Sequence, residues 1–148
     1  MIKKLTVNAK KPTGFWGKLM IQKMNRGHEP MTIWAIEHLP IQKSSHILDI
    51  GCGGGNAVKL MSAYNPKGVV CGIDYSPLSV KSAKKKNKRE IKNGTVHIQQ
   101  ASVSDLPYTD NTFDMVTAFE TIYFWPNPQE NFKEIYRVIK PNGTLAVV

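Results

Sequence analysis

The sequence predicts an α/β fold in which a mainly parallel sheet carries helices on both faces. From residue 46 onward, short apolar runs such as residues 46–50 and 113–119 alternate with segments whose apolar residues recur at helical spacing. Strands that alternate with helices are joined by crossover connections, which place the strands parallel in one sheet. A cluster of glycines directly follows the first apolar run. Glycines at that position are typical of a ligand site at the end of a strand.

Five strands and three helices are predicted after residue 45. The predicted strands are residues 46–50, 68–73, 95–99, 113–119 and 144–148. Apolar stripes at helical spacing mark the first and third helices, and their members are Ala57, Leu60, Met61 and Tyr64, then Phe132, Ile135, Tyr136 and Ile139. The second helix is predicted to begin at Ser76 and Pro77, an N-cap followed by a first-turn proline. Turns are predicted at residues 93–94 and 141–143.

Residues 1–45 are predicted to form a helical cap or lid, separate from a core at residues 46–148. Helical material is expected from residue 15 to about residue 26. A second helix is expected after His28, with Met31, Trp34 and Ala35 on one face.

The composition fits one soluble domain. The chain has 148 residues, of which 41% are hydrophobic and 21% charged. No apolar run approaches the roughly 20 residues of a membrane-spanning helix, and the basic N terminus lacks the apolar core of a secretion signal. Two cysteines without an export signal predict reduced thiols in a cytoplasmic protein. The four histidines have no metal-ligand spacing, so the sequence implies no metal.

The net charge of +9 is concentrated in two segments. Seven of the twelve residues in segment 81–92 are Lys or Arg, and seven further basic residues lie between Lys3 and Arg26. Such clusters attract nucleic acid or other polyanions. No aromatic residue lies in segment 81–92 as a base-stacking surface would require. A solvated helix face is therefore the favoured interpretation, and nucleic acid binding is the alternative.

The first chemically informative group follows the first predicted strand. Asp49 closes that strand, and Gly51, Gly53 and Gly55 come directly after it. Glycines at a strand-to-helix turn let the backbone approach a ligand and aim helix N-terminal amides at it. A dinucleotide fingerprint requires a third glycine where this chain has Asn56, so a nicotinamide oxidoreductase is not favoured.

A second group follows the second predicted strand. Asp74 lies 23 residues beyond Gly51, where a carboxylate can accept hydrogen bonds from both hydroxyls of a ribose. Tyr75 offers an aromatic face for an adenine ring. The structural alternatives are a cap for the helix that begins at Ser76 and ordinary packing of the tyrosine.

Four stretches of the chain, in this order, resemble class I S-adenosylmethionine (SAM) dependent methyltransferases of the small-molecule type often labelled methyltransferase type 11. They are residues 47–55, 72–77, 101–116 and 136–148, and the resemblance covers about two thirds of the chain. The resemblance implies a Rossmann-like doubly wound sheet with strand order 3-2-1-4-5. It further implies SAM as cofactor, S-adenosylhomocysteine as product, and methyl transfer to a small-molecule acceptor.

The resemblance also assigns cofactor contacts. The backbone of Gly51, Cys52 and Gly53 would lie against the methionine part of SAM, with Asp49 near its amino group. Asp74 would hold the ribose hydroxyls, and Tyr75 would flank the adenine. The remaining implied contacts are those of Ser102, Val103 and Glu120.

These three remaining positions differ in what they imply. Ser102 stands where the family usually has an aspartate, so the contact to the adenine amino group would be weaker. The Val103 amide would still reach the ring. Glu120 would line the methionine end of the cofactor, and its alternative is a solvent-facing carboxylate.

Acceptor-side residues are less specific, because the SAM methyl is already activated and the protein needs mainly to position a nucleophile. No catalytic residue is therefore assigned. Tyr123 and Trp125 could form an aromatic wall, although such clusters more often belong to the core. His28 could act as a general base. Its alternatives are a helix cap and an ordinary surface residue.

The resemblance implies a complete sheet of seven strands in order 3-2-1-4-5-7-6, whereas this chain ends within the fifth. We therefore expect a core that lacks strands six and seven, an impaired activity, and an apolar sheet edge that could support a homodimer. An RNA or protein methyltransferase is one alternative, but residues 121–124 replace the motif that amine-methylating nucleic-acid enzymes carry. A non-catalytic SAM-binding or scaffold domain is another, against which the intact Gly51, Gly53 and Asp74 argue.

Overall fold

The computed structural model describes residue 14 and residues 29–148 of the chain. The α-helices of this part are α1 (Glu29–His38), α2 (Asn56–Tyr64), α3 (Pro77–Lys86), α4 (Lys88–Lys92) and α5 (Pro128–Val138). The strands are β1 (His46–Ile50), β2 (Val69–Asp74), β3 (Val96–Gln100), β4 (Phe113–Ala118) and β5 (Ile139–Val147), and a short 3₁₀-helix covers Ile122–Phe124. None of the helices in the described ranges has both the length and the apolar character that crossing a bilayer demands.

The five strands form one sheet in the order β3-β2-β1-β4-β5. Every neighbouring pair is parallel, and β1 is central, with Ile47 opposite Val70 of β2 and Met115 of β4. The predicted fold class and strand order are confirmed. The carboxyl ends of β1, β2 and β4 therefore meet at one edge of the sheet, where the predicted ligand site lies.

The sheet separates two apolar cores, because successive side chains of a strand point to opposite faces. Ile47 faces a core that α2 and α3 cover with Val58, Met61 and Ala83. Leu48 faces a second core, which contains the buried side of α5 and residues of the loop before β4. A doubly wound sheet with helices on both faces results.

The last strand differs from its predicted bounds. β5 begins at Ile139 and not at residue 144, since Ile139 already pairs with Phe113. The predicted turn at residues 141–143 appears as an irregularity within this strand, where the register shifts before Thr144 pairs with Met115. Asn142 adopts a φ of 66° at this point, which bends the backbone without ending the pairing.

The predicted apolar face of α1 is wrong in part. Trp34 is 60% exposed and Met31 is also exposed, whereas Thr32, Ala35 and Ile36 are buried. Helix α1 packs against α2, and Ile36 belongs to the core on that side of the sheet. The helix is therefore rotated so that its tryptophan points away from the core.

The predicted stripes on α2 and α5 are also wrong at their tyrosines and at Phe132, which is exposed, and Ile139 belongs to β5 and not to the helix. Tyr136 is 84% exposed and Tyr64 is exposed as well. On α5 the buried face instead includes Asn131, whose Nδ2 donates a hydrogen bond to Ser104 Oγ at 2.9 Å. A polar residue can occupy this buried position because a partner satisfies its amide.

The predicted start of the second helix is confirmed. Ser76 Oγ accepts a hydrogen bond from Ser79 N at 3.3 Å, and Pro77 is the first helical residue. The basic segment that follows is divided into α3 and α4 at Asn87. The Asn87 side chain is buried and donates to the carbonyls of Gly55 and Ala83, both at 3.0 Å.

Candidate functional site

A cavity of about 410 Å³ opens at the carboxyl ends of β1, β2 and β4. All nine residues that the sequence predicts as cofactor contacts line it, namely Asp49, Gly51, Cys52, Gly53, Asp74, Tyr75, Ser102, Val103 and Glu120. They come from four separate stretches of the chain. The fold therefore brings these residues together at one site.

The glycine-rich turn after β1 requires glycine at two positions for different reasons. Gly51 has a φ of 74°, and a Cβ there would overlap the side chain of Thr121. Gly55 has a φ of 79°, and its Cβ would lie 2.9 Å from Ala83 Cα on α3. Glycine at position 51 thus leaves room for Thr121, which follows β4, beside the turn. Glycine at position 55 lets α3 pack close to the turn.

Asp74 holds this turn through its carboxylate. Its Oδ2 accepts a hydrogen bond from Gly53 N at 2.9 Å, and its Oδ1 accepts one from Ser76 N at 2.8 Å. Asp74 therefore supports the start of α3, which is the capping role given above as the alternative to ligand binding. It also lines the cavity. Burial raises the pKa of this carboxyl, and the hydrogen bonds from Ser76 and Gly53 oppose that shift. Each carboxylate oxygen can accept a second hydrogen bond, so the group can also receive donors from a ligand.

Asp49 is the most deeply buried acid of the site. Thr117 Oγ1 donates a hydrogen bond to its Oδ1 at 2.8 Å. Burial raises the pKa of Asp49 to about 7, the Thr117 hydrogen bond lowers it, and the charge of Asp74 raises it further. A cationic group placed beside Asp49 would favour its ionised form.

The loop after β3 forms the third wall. Ser102 and Val103 line the cavity, and Ala101 N donates to Asp74 O at 3.2 Å. The Ser102 hydroxyl accepts a hydrogen bond from Ser104 N at 3.1 Å, which fixes its orientation within the loop.

Arg137 on α5 holds the loop after β3 in place through hydrogen bonds. Its guanidinium donates to Tyr108 O at 2.7 Å, to Leu106 O at 3.1 Å and to Asp110 Oδ1 at 2.9 Å. Glu134 pairs with Arg137 and also accepts from Leu106 N at 3.1 Å. The role of Arg137 could not be predicted from the sequence, because these partners lie 27 to 31 residues away along the chain.

The segment after β4 completes the site. Glu120 lines the cavity with a φ of 51°, and its backbone N donates to Val148 O at 2.7 Å. Thr121 also lines the cavity and donates from Oγ1 to Ile50 O at 3.1 Å. Thr121 is a lining residue that the sequence motifs do not single out, and the signal for it is its position directly after Glu120.

The acceptor-side predictions fall at different places. Trp125 is buried, lines the cavity and packs edge-on against Phe132, with ring centroids 5.5 Å apart. Tyr123 is 78% exposed and is not among the lining residues, whereas its neighbour Phe124 is. His28 lies outside the described residues, as do residues 1–13 and 15–27 of the predicted cap or lid.

Cys52 lines the cavity as a buried thiol. Burial raises its pKa well above the ordinary value, and the charges of Asp49 and Asp74 act in the same direction. The thiol is therefore protonated at neutral pH and fills space in the wall. It is not an activated nucleophile.

Comparison with known proteins gives a consistent result. Residues 48–147 match the family described as "Methyltransferase domain". A demethylmenaquinone methyltransferase of Lactobacillus johnsonii is 32% identical over 111 residues, which are 74% of this chain and 46% of that protein. Cycloartenol-C-24-methyltransferase 1 of Oryza sativa subsp. japonica is 32% identical over 109 residues, 74% of this chain and 31% of that protein. The chain thus spans less than half the length of these two curated relatives.

Solved structures support the fold. The crystal structure of a SAM dependent methyltransferase from Aquifex aeolicus superposes with a TM-score of 0.78 at 23% identity, covering 86% of this chain and 70% of that one. At this level of identity the likeness shows the shared architecture.

Proposed function

The chain belongs to the methyltransferase domain family of class I SAM-dependent methyltransferases, and from this premise we propose that it binds SAM in the cavity and transfers the methyl group to a small-molecule acceptor. The observation that carries the proposal is the position of Asp74. Its carboxylate lies at the end of β2, bonds the glycine-rich turn, and lines the same cavity as eight further implied cofactor contacts.

The residues present fit this cofactor in charge and in shape. The cavity volume of about 410 Å³ lies in the range of small-ligand sites, roughly 300–1,000 Å³. Asp74 can accept from ribose hydroxyls while it keeps its two backbone donors. Asp49 supplies a carboxyl whose ionised form an ammonium group would stabilise. Asp49 would thus lie near the amino end of the cofactor, and Asp74 near the ribose.

The chemistry requires little of the protein beyond placement. SAM supplies a methyl group that its sulfonium already activates. Phe119, Phe124 and Trp125 form an apolar part of the cavity wall, which can exclude water and hold an acceptor in line with the methyl group. Glu120 and Thr121 lie beside these rings and can orient a polar atom of the acceptor.

The acceptor is proposed to be apolar in its greater part. The named relatives act on a demethylmenaquinone and on cycloartenol, a quinone and a sterol. The aromatic wall of the cavity suits such a molecule. Residues 1–45 are proposed to cap the site, since Met31 and Thr32 of α1 already line the cavity. The cytoplasm is proposed as its location, because Cys52 and Cys71 are both free thiols.

We further propose that two copies associate through β5. This strand lies at one edge of the sheet, and its Leu145 and Val147 are exposed. The opposite edge strand, β3, exposes the polar His97, Gln99 and Gln100 instead. An apolar edge strand is a template for pairing with another chain.

Calorimetric titration with S-adenosylhomocysteine tests the cofactor site. We expect micromolar binding that weakens at least about tenfold in Asp74→Ala, which corresponds to roughly 1.4 kcal/mol. Asp105→Ala is the matched control, because it removes the same charge from an exposed residue outside the cavity lining. Asp74→Asn keeps the shape of the side chain and serves if the alanine variant unfolds.

The possible outcomes separate clearly. Binding by the wild type that is lost in the Asp74 variants and kept in Asp105→Ala supports the proposed cofactor site. Folded wild-type protein that gives no heat with S-adenosylhomocysteine would overturn it. Equal weakening in the Asp74 and Asp105 variants would assign the effect to net charge.

A further inference from the structure

The two helical faces of the sheet carry opposite charge. Helices α3 and α4 cover one face, and residues 77–92 hold seven basic residues and a single acidic one, Glu90. Helix α5 and the loop before β4 cover the other face, and residues 101–112 and 128–138 together hold four acidic and two basic residues. This separation creates a directed field that draws an anionic partner to the face of α3 and α4.

The positive charges on this face are not neutralised by neighbours. We call Lys81, Lys84, Lys85, Lys88 and Lys92 the lysine surface, and all five are exposed. Among residues 29–148, no ion pair engages any of them. Glu90, the one acid of the segment, is paired with Lys59 at 3.5 Å.

The lysine surface adjoins the cavity wall. Ser79 of α3 and Asn56 of α2 both line the cavity. Lys86 Nζ donates to Asn56 Oδ1 at 3.2 Å, and Asn87 Nδ2 donates to Gly55 O at 3.0 Å. A partner that binds the lysine surface would therefore lie close to the proposed cofactor site.

Exposed aromatic residues lie in the same helical layer. Helix α1 packs on α2, which packs on α3. The first two helices expose Trp34 and Tyr64, respectively. Tryptophan and tyrosine are favoured at the boundary between a bilayer and water, where an apolar ring can enter and its polar atom stays wet.

We propose that the lysine surface docks the protein onto a bilayer that contains anionic lipid headgroups, with Trp34 and Tyr64 in the interface. The cavity is then held beside the phase in which an apolar acceptor dissolves. The choice of a bilayer as the partner rests on the proposed function, because it assumes an apolar acceptor. Nucleic acid is the less suitable polyanion because the proposed acceptor is apolar and dissolves in a bilayer, and because segment 77–92, which carries the lysine surface, itself contains no Phe, Trp or Tyr to stack on bases.

Vesicle flotation tests the proposal on the full chain. Vesicles of phosphatidylcholine alone are compared with vesicles that contain about 30% phosphatidylglycerol, at roughly 0.15 M salt. The test variant is Lys81→Gln/Lys84→Gln/Lys88→Gln, and the matched control is Lys43→Gln/Lys67→Gln/Lys133→Gln. Both remove three charges from exposed positions, which lowers the net charge from +9 to +6.

We expect flotation with the anionic vesicles only, a partition coefficient that falls about tenfold or more in the test variant, and near-normal binding in the control. A Trp34→Ala/Tyr64→Ala variant should bind more weakly than the wild type. S-Adenosylhomocysteine titration of the same preparations separates the two hypotheses, because the lysine variants should keep cofactor binding.

Three outcomes would overturn the proposal. They are absence of flotation with anionic vesicles, equal loss in the two triple variants, and tighter binding to an oligonucleotide than to the vesicles at the same salt. None of these outcomes bears on cofactor binding, so the proposed function is judged separately.

Discussion

Burial governs the chemistry of the site at the scale of single residues. Asp49 is enclosed at the end of β1, and the loss of water raises its pKa to about 7. Asp74 is less deeply buried and accepts two backbone hydrogen bonds, which oppose the same effect. Burial therefore raises the pKa of both carboxyl groups in the cavity, and the two backbone hydrogen bonds that Asp74 accepts oppose the shift at that residue.

The raised pKa of Asp49 predicts a pH-dependent stability. Between about pH 4 and pH 7 the folded chain holds a proton on Asp49 that the unfolded chain has released, so this residue lowers stability as the pH rises. Asp49→Asn cannot ionise and can still accept from Thr117. We expect the stability of this variant relative to the wild type to increase by roughly 2 to 3 kcal/mol from pH 5 to pH 8.

Urea unfolding of the ligand-free protein at both pH values measures this difference. Thr117→Val provides an internal check, because it removes the hydrogen bond that lowers the pKa of Asp49. The wild-type loss of stability with pH should therefore become larger in Thr117→Val. Parallel pH profiles for the wild type and Asp49→Asn would contradict the prediction.

Residue-level prediction succeeded where the chemistry is local to a turn. Asp74 and the glycines follow strand ends, so their placement in the cavity could be predicted from the sequence. Thr117 could not be predicted as the partner of Asp49, because the two residues are 68 positions apart. Only the parallel pairing of β1 with β4 makes them neighbours.

At the scale of elements, α5 acts as a support for the loop that follows β3. Arg137 donates hydrogen bonds to two carbonyls and to Asp110 of this loop. Glu134 accepts a hydrogen bond from the backbone N of Leu106 in the same loop. The loop carries Ser102 and Val103 into the cavity. The helix therefore affects the cofactor site without touching it.

Arg137→Ala should lower both stability and cofactor affinity. The change leaves the carbonyls of Leu106 and Tyr108 and the carboxylate of Glu134 without this partner, which we expect to cost about 1 to 2 kcal/mol of unfolding free energy. A looser loop should weaken S-adenosylhomocysteine binding severalfold. Thermal unfolding and calorimetry measure the two effects.

Lys133→Ala is the control on the same helix. Lys133 forms an exposed pair with Glu130 at 2.9 Å, and among the described residues no hydrogen bond or ion pair joins its side chain to the loop. Such pairs contribute roughly 0 to 1 kcal/mol. Equal losses of cofactor affinity in the two variants would show that α5 does not support the site in the way described.

Helix ends could be predicted more accurately than helix faces. The predicted cap at Ser76 is formed by a residue next to the helix that it begins, and it is present. The exposure of Trp34 and Tyr136 could not be predicted from spacing. Each helix turns to fit the surface it packs on, and large side chains with a polar atom tolerate solvent.

At the scale of the whole molecule, the sheet has two unlike edges. β5 carries exposed apolar residues on one edge, and β3 carries exposed polar residues on the other. The two faces differ as well, since one is basic and the other acidic. The proposed association with a second copy and the proposed docking to an anionic surface would therefore use different parts of the molecule.

A charge placed on β5 should prevent association. We expect Leu145→Lys to shift the protein toward the monomer in light scattering at micromolar concentration, because a lysine on an edge strand opposes strand pairing. Gln99→Lys adds the same charge to the opposite edge and should leave association unchanged. A wild type that is strictly monomeric would contradict the proposed pairing.

The sequence by itself predicted the class of fold and nine cofactor contacts that line the cavity, and its resemblance to a known family implied the order of the strands. These predictions depend on the alternation of strands and helices and on short motifs at strand ends, which are local properties of the chain. The tertiary structure decided which side chains hold those motifs in place. Three contacts show this, and each joins segments far apart in the chain. Thr121 packs beside Gly51, Thr117 donates a hydrogen bond to Asp49, and Arg137 bonds the loop that carries Ser102. Such contacts arise only when the sheet is assembled, because the packing of one segment on another sets their distances.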